Sequence, residues 1–176
     1  IQIEKDYDPD KIKRKFEDFI KNCRRCRKPD EVELLRKAFN IASKAFDGIK
    51  KNSQEYYQEH SIEVAKIVTN EIGLGVRSAV VALLHDIIDE TDFQIDDIEQ
   101  SFGPKTASII KGLTKIREVI DNQNIVQAEA FRKILLTLSD DIRVIFIKIA
   151  DRLHHMRTIY AYSENKRVKI ITESLY

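Results

Sequence analysis

The stretch Asp141-Ile142-Arg143-Val144-Ile145-Phe146-Ile147-Lys148-Ile149-Ala150-Asp151-Arg152-Leu153-His154-His155 decides the fold class. Its first half, Ile142 to Ile149, is rich enough in β-branched residues to pass for a buried strand. Its length, and the lack of partner strands elsewhere, favour an apolar helix over 142–155. Asp140 and Asp141 then stand at the start of that helix, where carboxylates suit the positive end of the dipole. With no βαβ alternation and no internal repeat, the expected class is all-α.

The rest of the chain carries the same periodicity. Ala128, Phe131, Leu135 and Leu138 trace an amphipathic helix, and a last helix runs from about Glu164 to the end. Val32, Leu35, Phe39, Ala42 and Phe46 form one stripe behind the helix start Pro29-Asp30. His60-Ser61 opens the next helix, with Ser61 as its N-cap and Gly73 as its stop. Residues 76–88 read as a single, largely buried helix. Ile95, Ile98 and Phe102 mark a short helix ending at Gly103, and Pro104 starts another through Ala107, Ile110 and Leu113. The polar segment Arg117–Gln123 reads as a loop.

The 176 residues, 43% apolar and 34% charged, suit one compact domain with a substantial core. No apolar run approaches the length that spans a bilayer. The charged start Ile1-Gln2-Ile3-Glu4-Lys5-Asp6 is not an export segment, so no membrane partner and a cytoplasmic location are expected. A start without methionine and a stop at Leu175-Tyr176, inside an unfinished helix, suggest a piece of a longer chain.

A net charge of +1 gives no reason to expect nucleic acid. Residues 11–28 are nevertheless basic: Lys11, Lys13, Arg14, Lys15, Lys21, Arg24, Arg25, Arg27 and Lys28 face only Glu17 and Asp18. Residues 1–28 therefore read as a basic helical segment packed on a domain of residues 29–176. Its charge is a solvated helix face or, alternatively, a contact for an anion, RNA or the ribosome. Cys23 and Cys26 lack the second pair or nearby histidine that a structural zinc needs. Reduced structural thiols on one helix face are expected.

Two segments carry the chemistry, Leu83-Leu84-His85-Asp86-Ile87-Ile88-Asp89-Glu90 and Ile147 to His155. Each is an apolar stretch that ends in residues able to hold a metal. An ionised carboxylate carried into a core pairs or coordinates a cation. Imidazole nitrogens and carboxylate oxygens together suit Mn²⁺, Fe²⁺ or Zn²⁺. Adjacent His85 and Asp86 lie about 100° apart around a helix and reach one ion best near a helix end. Together these residues describe one divalent-metal site assembled from distant helices. Taken singly, each reads as a satisfied core histidine or as a buried ion-pair partner for Arg143, Arg152 or Arg157.

The order H…HD…D resembles the HD superfamily of metal-dependent phosphohydrolases. From about Glu31 to Tyr176 the chain is similar to the N-terminal hydrolase domain of the RelA/SpoT homologues. Ser53-Gln54-Glu55-Tyr56-Tyr57-Gln58-Glu59-His60 resembles that family's SGEPYxxHP. Ala82 to Thr91 resembles its ALLHDVVEDT, Phe102-Gly103 its FG, and Asp141 to Thr158 its DIRVILIKLADRLHNMRT.

The resemblance implies a helical bundle of about eight to ten helices around a single metal site. It also implies removal of the 3′-diphosphate from guanosine 3′,5′-bis(diphosphate), (p)ppGpp, giving GDP or GTP and pyrophosphate, with Mn²⁺ preferred. That reaction degrades the stringent-response alarmone. By position, His60, His85, Asp86 and Asp151 would be the metal ligands. Asp89 and Glu90 would be the acidic pair that orients or deprotonates water. Lys51, Asn52, Ser53, His155 and Thr158 would meet the guanine nucleotide, and a synthetase domain would follow Tyr176 in a bifunctional chain. The acidic pair is Asp-Glu here rather than Glu-Asp. Lys51-Asn52 replace Arg-Lys, His155 an asparagine, Ser61 a proline and Phe46 a histidine. These departures leave two alternatives: a phosphohydrolase of another nucleotide, or a nucleotide-sensing regulatory module.

Overall fold

Asp8 starts the first helix. Its carboxylate accepts from the Lys11 amide at 2.9 Å, and Pro9 sits in the first turn, where no backbone donor is needed. In the computed structural model, which describes residues 7–121 and 140–175, this helix is α1 (Pro9–Asn22), with Ile12, Phe16 and Phe19 on its buried face. Helix α2 (Pro29–Ala45) also has a proline in its first turn, but here the third helical residue, Glu31, reaches back and accepts from the Lys28 amide at 3.2 Å.

Helix α3 (Tyr57–Lys66) begins ahead of the expected His60-Ser61 start. The cap is supplied by Glu59, whose carboxylate accepts from the Tyr56 amide at 3.2 Å. Ser61 is already inside the helix, its hydroxyl donating to the Gln58 carbonyl at 2.9 Å. A wide π turn, Ile67–Glu71, follows, and Gly73 at φ 84° ends the run as expected. The single helix expected over 76–88 is two, α4 (Val76–Leu84) and α5 (Ile87–Glu90), with His85 and Asp86 as the link.

Helix α6 (Ile95–Phe102) ends at Gly103, whose φ 84° and ψ 165° are closed to ordinary side chains. A methyl group there would meet nothing within 4 Å, so Gly103→Ala isolates the backbone effect. It should lower unfolding free energy by about 1–3 kcal/mol in urea titration; no change would mean that the turn relaxes freely.

Helix α7 (Pro104–Asp121) corrects the expected loop from Arg117, since the chain stays helical through Asp121. Buried Ile116 and the ion pairs of Arg117 hold this last turn against its polar composition. The rest of that expected loop, and the helix expected through Ala128, Phe131, Leu135 and Leu138, lie outside the described residues. Helix α8 (Arg143–Arg157) settles the ambiguous stretch as helical, with Asp141 accepting from the Arg143 amide at 3.0 Å. A 3₁₀ turn (Ile159–Ala161) and α9 (Glu164–Leu175) complete the chain.

Among the described residues there is no strand, only an isolated bridge between Lys50 and Tyr56. The fold is all-α. Helix α4 is almost wholly buried, with only Arg77 exposed, because it packs against α2, α3, α7 and α8. Helix α1 lies on α3, its Phe16 ring stacked on Phe39 at 4.1 Å. Among the described residues no helix is long and apolar enough to cross a membrane. Cys23 and Cys26 are joined as a disulfide, which corrects the expected reduced thiols. Helix α1 ends at Asn22, so the pair sits in the turn before α2 rather than on a helix face, with Cα atoms 5.3 Å apart.

Candidate metal centre

His60 on α3 is fully buried, and His85 and Asp86 hold the break between α4 and α5. Asp151 comes from α8 and is 1% exposed. The fold brings these four together. His60 Nε2 lies 3.2 Å from Asp151 Oδ1, 3.3 Å from His85 Nε2 and 3.9 Å from Asp86 Oδ2. His85 Nε2 is 3.3 Å from Asp86 Oδ2 and 3.7 Å from Asp151 Oδ1. Atoms sharing one ion at about 2.1 Å stand roughly 3–3.5 Å apart, close to this spacing.

The donor chemistry fits a cation as well. His85 Nδ1 is 2.8 Å from the Ala82 carbonyl, which can only accept, so Nδ1 carries the proton and Nε2 turns a lone pair inward. Burial, aided by the Lys51 ammonium, holds the His60 imidazole below its ordinary pKa, in the neutral form that metals bind. Asp151 Oδ1 is buried without a hydrogen-bond partner, although three imidazole nitrogens lie within 3.7 Å, the third being His155 Nδ1 at 3.4 Å. A buried carboxylate oxygen without a donor lacks the positive partner that its charge requires.

Burial opposes ionisation of both aspartates, yet nearby charges prevail. Lys51 and Arg117 hold Asp86 well below the usual carboxylate range, and Lys148 does the same for Asp151. Lys51 contacts Asp86 Oδ2 directly, Arg117 reaches Asp86 Oδ1 at 2.8 Å, and Lys148 meets Asp151 Oδ2 at 2.9 Å. Of the arginines suggested by sequence, Arg143 pairs with Asp141 and Arg157 with Glu71 instead, while Arg152 lines the cavity beside the cluster.

Beside the cluster opens a cavity of about 370 Å³. Lys51, Arg117, Lys148, Arg152, Lys166 and Lys169 line it, with Asp89 and Glu90 of α5 and the rings of Tyr57, His155 and Tyr162. A narrower recess bounded by His85, Asp151, Asp89, Arg117 and Lys148 shares the last three of these residues with the cavity wall. Of the residues expected at the substrate, Lys51 and His155 line this cavity. His155 also stacks on His60, with ring centroids 5.0 Å apart, and burial pushes its pKa down to about 3. Asn52 and Thr158 instead line a smaller neighbouring cavity of about 170 Å³. Ser53 donates its hydroxyl to the Ala161 carbonyl at 2.6 Å.

The family model for the HD domain matches residues 38–176. The chain belongs to the HD domain family. Within it, the chain is similar to RelA/SpoT proteins. It is 41% identical over 150 residues to the GTP pyrophosphokinase rsh of Brucella ovis, covering 84% of this chain and 20% of that protein. It is 38% identical over 147 residues to the bifunctional (p)ppGpp synthase/hydrolase SpoT of Escherichia coli K12, covering 83% and 21%. The same figures hold for the guanosine-3′,5′-bis(diphosphate) 3′-pyrophosphohydrolase of Shigella flexneri. The chain spans about a fifth of the length of these curated relatives.

Several residues of the HD domain's centre had no role assigned from sequence. Glu55 Oε1 lies 2.8 Å from His154 Nε2, and Oε2 lies 3.8 Å from His60 Nδ1, so one carboxylate stands behind two histidines. Burial raises the Glu55 pKa, but the bonds to His154 and His60 outweigh it and bring it to about 2. The segment quoted for the family likeness contained Glu55, but only the fold shows its partner. Lys148 was legible as the i−3 neighbour of Asp151. Arg117 carried no local signal, because its partners Asp86, Asp89 and Glu90 are all distant in sequence.

Proposed function

We propose that this HD domain hydrolyses the 3′-diphosphate of (p)ppGpp, releasing pyrophosphate and GDP or GTP, with Mn²⁺ as the preferred ion. One observation carries the proposal: two imidazole nitrogens and two carboxylate oxygens converge beside a cavity walled by cations and two further carboxylates. The names of the SpoT and pyrophosphohydrolase relatives support the same substrate.

His60, His85, Asp86 and Asp151 would hold the ion. When bound, it supplies Lewis acidity toward phosphoryl oxygens and lowers the pKa of water. The remaining work falls to the chain. Asp89 and Glu90, with side chains 14% and 40% exposed, are placed to accept the proton of attacking water. Lys51, Lys148, Arg152 and Lys166 set up a positive field that draws in and orients a polyanion. Tyr57 and Tyr162 give the base a flat apolar surface.

Incubation with (p)ppGpp and Mn²⁺ should release pyrophosphate, and Asp89→Asn should lower kcat by about 10²–10⁴-fold. Bound Mn²⁺ with no release above background would reject the proposal. A higher kcat/KM for another nucleotide in a panel would redirect the substrate.

A further inference from the structure

Arg117 enters the site from the last turn of α7 and meets three carboxylates at once. Its Nη2 reaches Asp86 Oδ1 at 2.8 Å, and its Nη1 reaches Asp89 Oδ2 at 3.0 Å and Glu90 Oε1 at 3.3 Å. The three acids belong to one short turn of chain, where the Glu90 amide donates to the Asp86 carbonyl at 3.0 Å. Left alone, like charges this close would splay apart. The guanidinium is the planar, permanently charged group able to satisfy them together, and its side chain is only 26% exposed. It grips Asp86 by Oδ1, the oxygen turned away from the imidazoles, while Oδ2 stays among the metal-binding atoms.

We propose that Arg117 is a positioning residue for hydrolysis, fixing Asp86 from behind and tying the Asp89 and Glu90 carboxylates to the same point. The inference rests on the hydrolase reading above. It gives one residue two tasks. It sets the rotamer of a metal-binding carboxylate, as outer partners of metal ligands do. It also fixes the distance between that carboxylate and the groups that take the proton. Misplacing such groups by about 1 Å can cost roughly 100-fold in rate. The Asp-Glu order of the acidic pair, with the shorter side chain first, makes such a tether valuable. Arg117 reaches the shorter Asp89 at 3.0 Å and the longer Glu90 at 3.3 Å.

The test uses the full chain with Arg117→Lys, which keeps the charge but loses the fork, and Arg117→Ala. Mn²⁺ affinity is measured without nucleotide by calorimetry, and kcat and KM are measured with (p)ppGpp. Arg117→Lys should weaken Mn²⁺ binding and lower kcat by about 10–100-fold each, with KM nearly unchanged. Added methylguanidinium should restore part of kcat to Arg117→Ala and none to Asp89→Asn. A lysine variant equal to wild type in both Mn²⁺ affinity and kcat overturns the inference, as does an effect confined to KM. If wild type hydrolyses no (p)ppGpp but Arg117→Lys still weakens Mn²⁺ binding, the substrate proposal falls and the tether to Asp86 stands. If wild type is active and the lysine variant matches it, the tether alone falls.

Discussion

Asp151→Asn is expected to reduce Mn²⁺ affinity by at least about 100-fold and kcat for hydrolysis by about 10³-fold. Asp151 is 1% exposed and gives Oδ1 to a point within 3.7 Å of three imidazole nitrogens. Asparagine keeps the shape but removes the charge that a cation needs there. The ion pair to Lys148 is lost, but so is the cost of keeping a carboxylate charged at a buried position, and Lys148, 18% exposed, can turn to solvent. The metal-free variant should therefore unfold near the wild-type temperature, which separates lost binding from lost folding. With Mn²⁺ at a hundred times its dissociation constant, linkage stabilises the wild type by about 2.7 kcal/mol. A melting-temperature rise of roughly 5–10 °C follows for a chain of this size. The variant should show none. A wild-type Mn²⁺ response in Asp151→Asn would mean that the cluster is not the metal site.

Phe16→Ala is expected to cost about 3–5 kcal/mol of unfolding free energy, or roughly 6–20 °C in melting temperature. The ring is 1% exposed, stacked on Phe39 of α2 at 4.1 Å with an interplanar angle of 4°, and tilted against Phe19 at 6.2 Å. The family match begins only at residue 38, so α1 lies outside the residues that it covers. The packing puts α1 inside the domain, since Ile12, Phe16 and Phe19 belong to the same buried cluster as α4. Lys15 adds a salt bridge to Glu59 of α3 at 2.5 Å. A loss below about 1 kcal/mol in denaturant titration would mark α1 as an arm resting on a self-sufficient bundle.

The helices were legible wherever an apolar stripe met a capping or stopping residue, as at Pro29, Gly73 and Gly103. Boundaries failed where tertiary contacts overrode local signals. Ser61 looks like a cap, but Glu59 does the capping. Arg117 looks like a loop residue, but carboxylates on α5 hold it in a helix. The break at His85-Asp86 was foreseen only as a need for a nearby helix end. The donor cluster stood out because His85, Asp86 and Asp151 interrupt apolar runs. Glu55 and His154 did not, because each is an ordinary residue until the fold sets it against the other.

Ser53 and Ala161 are 108 residues apart, and Glu55 and His154 are 99 apart, yet each pair is hydrogen-bonded. During synthesis the loop at Ser53 leaves the ribosome long before α8 exists. At roughly 5–20 residues per second, it waits on the order of 5–20 s for its partners. Nascent chains therefore carry the early half of the site without the strut that shapes it. A message cut short before the codon for Asp151 would yield helices but only three of the four residues that form the centre.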